Sequence, residues 1–272
     1  MKMYRQGDLL FREVKTLSKK EWKKRKNGHI LEGEATGQGQ ISMIAQGVDT
    51  EHLGGSLDHR GEAAVDVEGR ELIGDGKGLD RLPIPVSTPG FDSAPTLTAT
   101  NVVTKDPVTG VQNMGTYRAA LKACNRLGVR MVARVGGAGG YLHWLKYRER
   151  KQPMPIAIVI GCAPVVFFTG PQKLAVDVDE LAVAGALAGA PVRKVKCKTI
   201  DLEVPADAEI VIEGVIDTAV LEPEAPFGES NGYVALEAFN MPMQVTAITH
   251  RRAAVFASII SQVTPSESSV VK

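Results

Sequence analysis

The stretch "VRKVKCKTIDLEVPADAEIVIEGVID" (192–217) decides the fold class. In its first half, up to Pro205, the apolar Ile200, Leu202 and Val204 alternate with the charged Asp201 and Glu203. That is the period of a half-buried strand. "PADA" (205–208) then supplies a turn, and "EIVIEGVID" (209–217) reads as a second strand. Two strands joined by a short turn predict an antiparallel hairpin. With helices elsewhere, this favours an α+β layout over a purely parallel doubly wound sheet.

Working outward, "MPIAIVIG" (154–161) is a buried strand by its continuous apolar run. The longer run "MPIAIVIGCAPVVFF" (154–168) is too short, and too broken by Pro and Gly, for a bilayer, so no membrane span is expected. "DVDELAVAGALAGAP" (177–191) predicts a helix. Asp177 can cap it, Glu180 stands three residues on, and Leu181, Ala184 and Leu187 form one stripe. "HRRAAVFASIIS" (250–261) fits helix or strand. The front of the chain has another texture: a basic block, "KKEWKKRK" (19–26), precedes a glycine-rich, weakly patterned stretch. Dense patterning begins near Leu82. Two regions are therefore expected, 1–78 of unknown role and a regular core over 79–272. The basic block reads as a solvated face or tail, and no motif supports nucleic-acid binding.

Composition excludes some classes. The 272 residues carry a net charge of +1, which gives no global field to attract nucleic acid or an anionic membrane. Aromatics at 5% argue against stacking platforms for single strands. Cys124, Cys162 and Cys197 are odd in number, far apart and without metal-ligand spacing, which predicts reduced thiols and a cytoplasmic location. The start, "MKMYRQGDLLF", lacks the pattern of a signal peptide.

Phosphate-loop, His-Glu-x-x-His and Gly-x-Ser-x-Gly motifs are absent. "VGGAGG" (135–140) lacks the full dinucleotide fingerprint; it fits a tight strand-to-helix turn or a nucleotide contact. "NMGTYR" (113–118) is either a surface turn or an arginine fork for a carboxylate. Glu180 is either the acid of a capping box or a metal ligand. "PEAPFGE" (223–229) sets Glu224 and Glu229 around a rigid corner, as a solvated loop or as two acids facing one cleft. His143, in "YLHWLKY", lies on an expected helix, where a structural role competes with a ligand role.

Four segments in order, "VTKDPVTGVQNMGTYR" (103–118), "VKCKTIDLEVPADAEIVIEG" (195–214), "PEAPFGESNGY" (223–233) and "VTAITHR" (245–251), resemble the UbiD family of (de)carboxylases, which use prenylated FMN. The resemblance covers about residues 82–272 and implies a split β-barrel flavin-binding core. It implies reversible decarboxylation of a small aromatic or α,β-unsaturated carboxylic acid, with prenylated FMN as electron sink. Asn113 and Glu180 are then ligands of a divalent metal (Mn2+ or Mg2+, with K+ as a further ion) that holds the cofactor phosphate. Gly115, Thr116, Tyr117 and Arg118 contact the flavin, as do Arg130, Met131, Val132, Arg134, Val135, Gly136 and Gln172. Arg118 binds the substrate carboxylate and forms a catalytic triad with Glu224, its ionised partner, and Glu229, the proton donor. One position departs from the family: Arg134 stands where a third metal ligand, a His, is usual. A guanidinium cannot ligate a cation but can neutralise a phosphate.

The implied partners are the acid and a flavin prenyltransferase that supplies the cofactor. A homo-oligomer is implied where the family's C-terminal domain is present; this sequence stops at "TPSESSVVK", ahead of it. A flavin-binding or partner-binding fragment without turnover is the alternative.

Overall fold

Runs of Val and Ile organise the chain around one large sheet. The structure, a computed structural model, describes residues 78–131, 138–175, 178–224, 226–229, 231–235, 238–262 and 264–271, and the backbone of short strands at 3–6, 9–12, 46–47 and 70–73. Those four are β1 (Met3–Gln6), β2 (Leu9–Arg12), β3 (Gln46–Gly47) and β4 (Arg70–Ile73). Then come β5 (Thr96–Leu97), β6 (Thr100–Lys105), β7 (Gln112–Gly115), β8 (Ala119–Ala123) and β9 (Arg126–Val129). Helix α1 (Gly139–Glu149), strand β10 (Met154–Ile160), and helices α2 (Pro164–Thr169) and α3 (Glu180–Ala188) follow. The rest is β11 (Lys194–Lys196), β12 (Glu203–Pro205), β13 (Ile210–Ile216), β14 (Glu222–Glu224), β15 (Phe227–Gly228), β16 (Val234–Ala235), β17 (Ala238–Arg251), β18 (Val255–Phe256) and α4 (Glu267–Val271).

The main sheet runs β5-β8-β9-β17-β13-β10-β6-β7, with β4 and β14 also paired to β17. Its neighbours are antiparallel throughout. The layout is mixed α and β with the sheet dominant. No pairing among the described residues joins β5 to β7.

The sheet is covered on both faces, so its central strands carry no polar face. Ile156, Ile158, Ile160, Ile210 and Ile212 pack into one core with Leu127, Met243 and Trp144. Their neighbours Ala157, Val159 and Val211 pack into a second core with Val103, Val166, Leu181 and Ala184. "MPIAIVIG" is accordingly the buried strand β10.

The hairpin expected over 192–217 does not form. β12 folds back on β11, and β13 pairs instead with β10 and β17. Glu213 gives the reason. Buried on β13, its carboxylate accepts from Lys198 N (2.9 Å), Thr199 N (2.7 Å) and Thr199 Oγ (2.8 Å). This pins the loop 197–202 and turns the chain back on itself. Leu202 and Val204 are still buried, so the alternation marked the correct face.

Helix α3 also differs from expectation. Its cap is Asp179, whose carboxylate accepts from Leu181 N at 2.8 Å, and Asp177 lies outside the described residues. Glu180 is the first helical residue, directly after the cap, and its carboxylate accepts from Met114 N on β7, so it is not a capping-box acid. Leu181, Ala184 and Gly185 are buried, whereas Leu187 is 71% exposed. Steps of three residues lag the helical period by about 60° each, which carries Leu187 off the stripe. "HRRAAVFASIIS" closes β17, turns, forms β18 and continues without regular structure.

The β6–β7 turn aims the site. Asp106 is buried there; Oδ1 accepts from Val108 N (2.7 Å) and Thr109 N (3.3 Å), and Oδ2 from Lys146 of α1. Gly110 closes the turn at φ 75°, a left-handed conformation that suits glycine. Burial alone would raise the Asp106 pKa, but Lys146 and the two N–H donors outweigh it and hold the carboxyl below its ordinary value. A depressed carboxyl stabilises the fold above its unfolded pKa, and that stability is lost as pH falls through the folded value. Asp106→Asn is therefore expected to cost on the order of 1–2 kcal/mol in urea unfolding at pH 7. The gap to wild type should close as pH falls below the ordinary carboxylate range.

Candidate active site

Two clusters converge on the segment that links β7 to β8. The first is built on Arg118, immediately before β8. Its Nε donates to Glu224 Oε1 (2.7 Å), its Nη2 to Glu224 Oε2 (3.0 Å) and its Nη1 to Glu229 Oε1 (3.0 Å). One guanidinium thus holds Glu224 bidentately and Glu229 by a single bond. Its carbon lies 4.6 Å from the centre of the Phe227 ring. Burial alone would lower the Arg118 pKa, but the two carboxylates outweigh it and raise it.

The corner "EAPFGE" is held from several directions. Glu224 ends β14, which is paired to β17. Phe227 and Gly228 form β15 against β16. Gly228 N donates to Asp92 Oδ1 (2.9 Å) and Ser93 N to Pro226 O (3.3 Å). Past the corner, Glu229 N donates to Tyr233 O at 2.8 Å across a turn. The two acids differ in access: the Glu224 side chain is 5% exposed and that of Glu229 is 29%. The other oxygen of Glu229, Oε2, accepts from Asn231 Nδ2 at 3.1 Å. The only trace of that contact in the sequence is an Asn two residues after the acid, in "ESNG".

The second cluster joins Asn113, Glu180 and the start of α1. Glu180 Oε2 accepts from Met114 N at 2.7 Å, and burial raises its pKa. With its nitrogen toward Glu180, the Asn113 amide donates to Glu180 Oε1 (3.2 Å) and accepts from Met114 N (3.1 Å). Turned the other way, its oxygen stands beside the carboxylate, an arrangement a shared cation would reconcile. Gly139 lies so close that a Cβ there would collide with the Asn113 amide. Gly140 N donates to Tyr117 Oη at 3.2 Å, and burial raises the Tyr117 pKa. The start of α1 has no side-chain cap and no acid in its first turn.

The remaining positions fall as follows. Gly115 ends β7 beside the Tyr117 ring. Thr116 Oγ donates to Asn101 Oδ1 at 3.3 Å, and Asn101 Nδ2 in turn donates to Val166 O at 3.3 Å. Met131 is buried beside Gly140. Gln172 follows α2 and donates to Phe168 O at 3.0 Å. Arg130 Nη1 donates to Phe239 O (2.8 Å), and its Nε lies 3.4 Å from Glu224 Oε2. His143 is buried on α1, with Nδ1 2.9 Å from Thr104 Oγ. Val132, Arg134, Val135 and Gly136 lie outside the described residues. Among the described residues, no group of three His, Cys, Asp or Glu side chains is disposed to hold a metal ion, and no helix is long and apolar enough to cross a membrane.

The chain belongs to the UbiD family: residues 60–263 match its 3-octaprenyl-4-hydroxybenzoate carboxy-lyase Rift-related domain. It is similar to an evolved dimeric form of the UbiD-class enzyme HmfF from Pelotomaculum thermopropionicum in complex with prFMN. The two are 37% identical, with a TM-score of 0.67, over 71% of this chain and 44% of that one. It is also similar to vanillic acid decarboxylase of Sedimentibacter hydroxybenzoicus, at 29% identity and a TM-score of 0.70, over 74% of this chain and 43% of that one. An uncharacterized protein of Synechocystis, sll0936, is 34% identical over 203 residues, 74% of this chain and 40% of its own length. The chain therefore spans less than half the length of these relatives.

Proposed function

We propose that this chain is the flavin-binding core of a prenylated-FMN-dependent carboxy-lyase. Its reaction would be the reversible decarboxylation of a small aromatic or α,β-unsaturated carboxylic acid. The observation that carries the reading is one arginine bonded to two carboxylates of different exposure, Glu224 and Glu229. Residues 79–272 carry the site, β4 adds a strand to the same sheet through β17, and a split β-barrel is the architecture the family supports for the unit.

The residues present fit the cofactor. The uncapped start of α1 offers N–H groups to a phosphate beside Asn113 and Glu180. Asn113 and Glu180 would hold a divalent cation there. Gly115, Thr116, Tyr117 and Met131 would line the flavin. Bound in this place, a prenylated flavin supplies the electron sink for the charge that stays on carbon when carbon dioxide leaves.

The protein's own part is orientation and proton transfer. Glu224 occupies the Nε–Nη2 edge of Arg118, so a substrate carboxylate meets the guanidinium at its Nη1–Nη2 end and competes there with Glu229. Glu224, held by two bonds, stops Arg118 from turning. Glu229 exchanges protons with solvent through its exposed side, delivers one to the carbon that lost carbon dioxide, and removes one in the reverse direction.

Coexpression with a flavin prenyltransferase tests this reading. A visible flavin spectrum with carbon dioxide release from a panel of hydroxybenzoic and cinnamic acids is the expected result. Flavin without turnover favours the second reading, a cofactor-binding or partner-binding fragment, which the coverage of under half of each relative supports. Absence of flavin would overturn the enzyme reading and the cofactor-binding form of the second.

The metal pair makes a separate prediction. Burial raises the Glu180 pKa, so its contribution to stability is full below the unfolded value and is lost as pH rises through the folded one. A divalent cation binds the ionised form and offsets that loss. Mn2+ is therefore expected to raise the melting temperature over an EDTA control increasingly from pH 5 to 8, and to have no effect on Glu180→Gln. Equal Mn2+ shifts in both proteins would remove Glu180 as a ligand.

A further inference from the structure

We propose that Arg130 is a positioning residue that clamps Glu224 alongside Arg118 and keeps the carboxylate cluster neutral until substrate arrives. The inference deepens the function proposed above and rests on it for its catalytic half.

The two arginines are cross-strand neighbours. β8 and β9 pair Ala119 with Val129, and Arg130 N donates to Arg118 O at 2.9 Å. Two guanidinium groups so placed repel each other unless an anion lies between them. Glu224 fills that position: Oε2 takes Arg118 Nη2 at 3.0 Å and has Arg130 Nε at 3.4 Å. The other end of Arg130 donates to Phe239 O (2.8 Å), and Phe239 pairs with Pro223, the residue before Glu224. Arg130 therefore ties β9 to both strands that carry Glu224 in place. Its Nε is buried and lacks an aligned hydrogen-bond acceptor, so its contact with Glu224 is one of charge.

The charge balance gives this contact a consequence. Arg118 and Arg130 balance Glu224 and Glu229. Of the other charged groups here, Arg126 pairs with Glu222, Asp92 accepts from Thr88 N and Gly228 N, and the exposed Lys122 reaches Pro223 O at 3.5 Å. A substrate carboxylate adds one negative charge to a neutral cluster. Without Arg130 the cluster is already negative. The substrate carboxylate then meets it at a higher electrostatic cost and binds less well.

A double-variant cycle in thermal unfolding tests the clamp without cofactor. Arg130→Gln and Glu224→Gln should each lower the melting temperature, and the double variant should melt no lower than Glu224→Gln alone. Additive losses would overturn the clamp. In flavin-loaded enzyme, Arg130→Gln should raise KM about tenfold with kcat changed much less, and Arg130→Lys should recover part of the loss. An unchanged KM beside a non-additive cycle would overturn the charge-balancing role. A wild-type chain that never turns over counts against the proposed function alone, and the cycle still decides the clamp.

Discussion

Glu229→Gln is expected to keep the flavin and to lose turnover by about 10²–10⁴-fold, the usual share of a positioned general acid. The change is nearly isosteric, and the amide oxygen can still accept from Arg118 Nη1 and so preserve the corner. What it removes is a transferable proton. The side chain's 29% exposure lets solvent recharge it, which Glu224, at 5%, lacks. The readings are the visible spectrum for cofactor and carbon dioxide release for turnover. Unchanged turnover would take Glu229 out of the mechanism, and a lost spectrum would make it a cofactor residue instead.

Arg118→Ala is expected to be the most damaging substitution for the fold. It leaves Glu224 almost fully buried without its fork, and removing one partner of a buried ion pair costs about 3–5 kcal/mol. Arg130, 3.4 Å away, keeps the loss toward the lower end. Arg118→Lys should recover little, because an ammonium cannot bond both oxygens of Glu224 and reach Glu229 as well. Urea unfolding measures both variants. A loss below about 1 kcal/mol, typical of a surface pair, would contradict the burial argument.

How far the sequence reached differs from element to element. "MPIAIVIG" was legible because a strand covered on both faces must be apolar throughout. The 192–217 stretch gave the correct buried face at Leu202 and Val204 but the wrong partner strand. Alternation reports which way a side chain points and says nothing of which strand lies alongside. The fold-back is decided by Glu213 gripping Lys198 and Thr199, a contact between a strand and a distant loop that no local pattern encodes. Glu180 looked like half of a capping box because its spacing from Asp177 fits one. Its carboxylate instead bonds Met114 N, 66 residues away in sequence. The segments "NMGTYR" and "PEAPFGE" were each ambiguous alone. Their meeting at Arg118, across separations of 106 and 111 residues, needs β8 to pair with β9, β9 with β17 and β17 with β14. Asn231 and the Glu224 contact of Arg130 went unread because both depend on that same meeting.

The most direct test of the account is decarboxylation in deuterium oxide by the flavin-loaded chain, followed by mass spectrometry of the product. One deuterium at the carbon that lost the carboxyl group, for each carbon dioxide released, is the predicted result. A flavin-loaded chain that releases no carbon dioxide from any aromatic or unsaturated acid would contradict it.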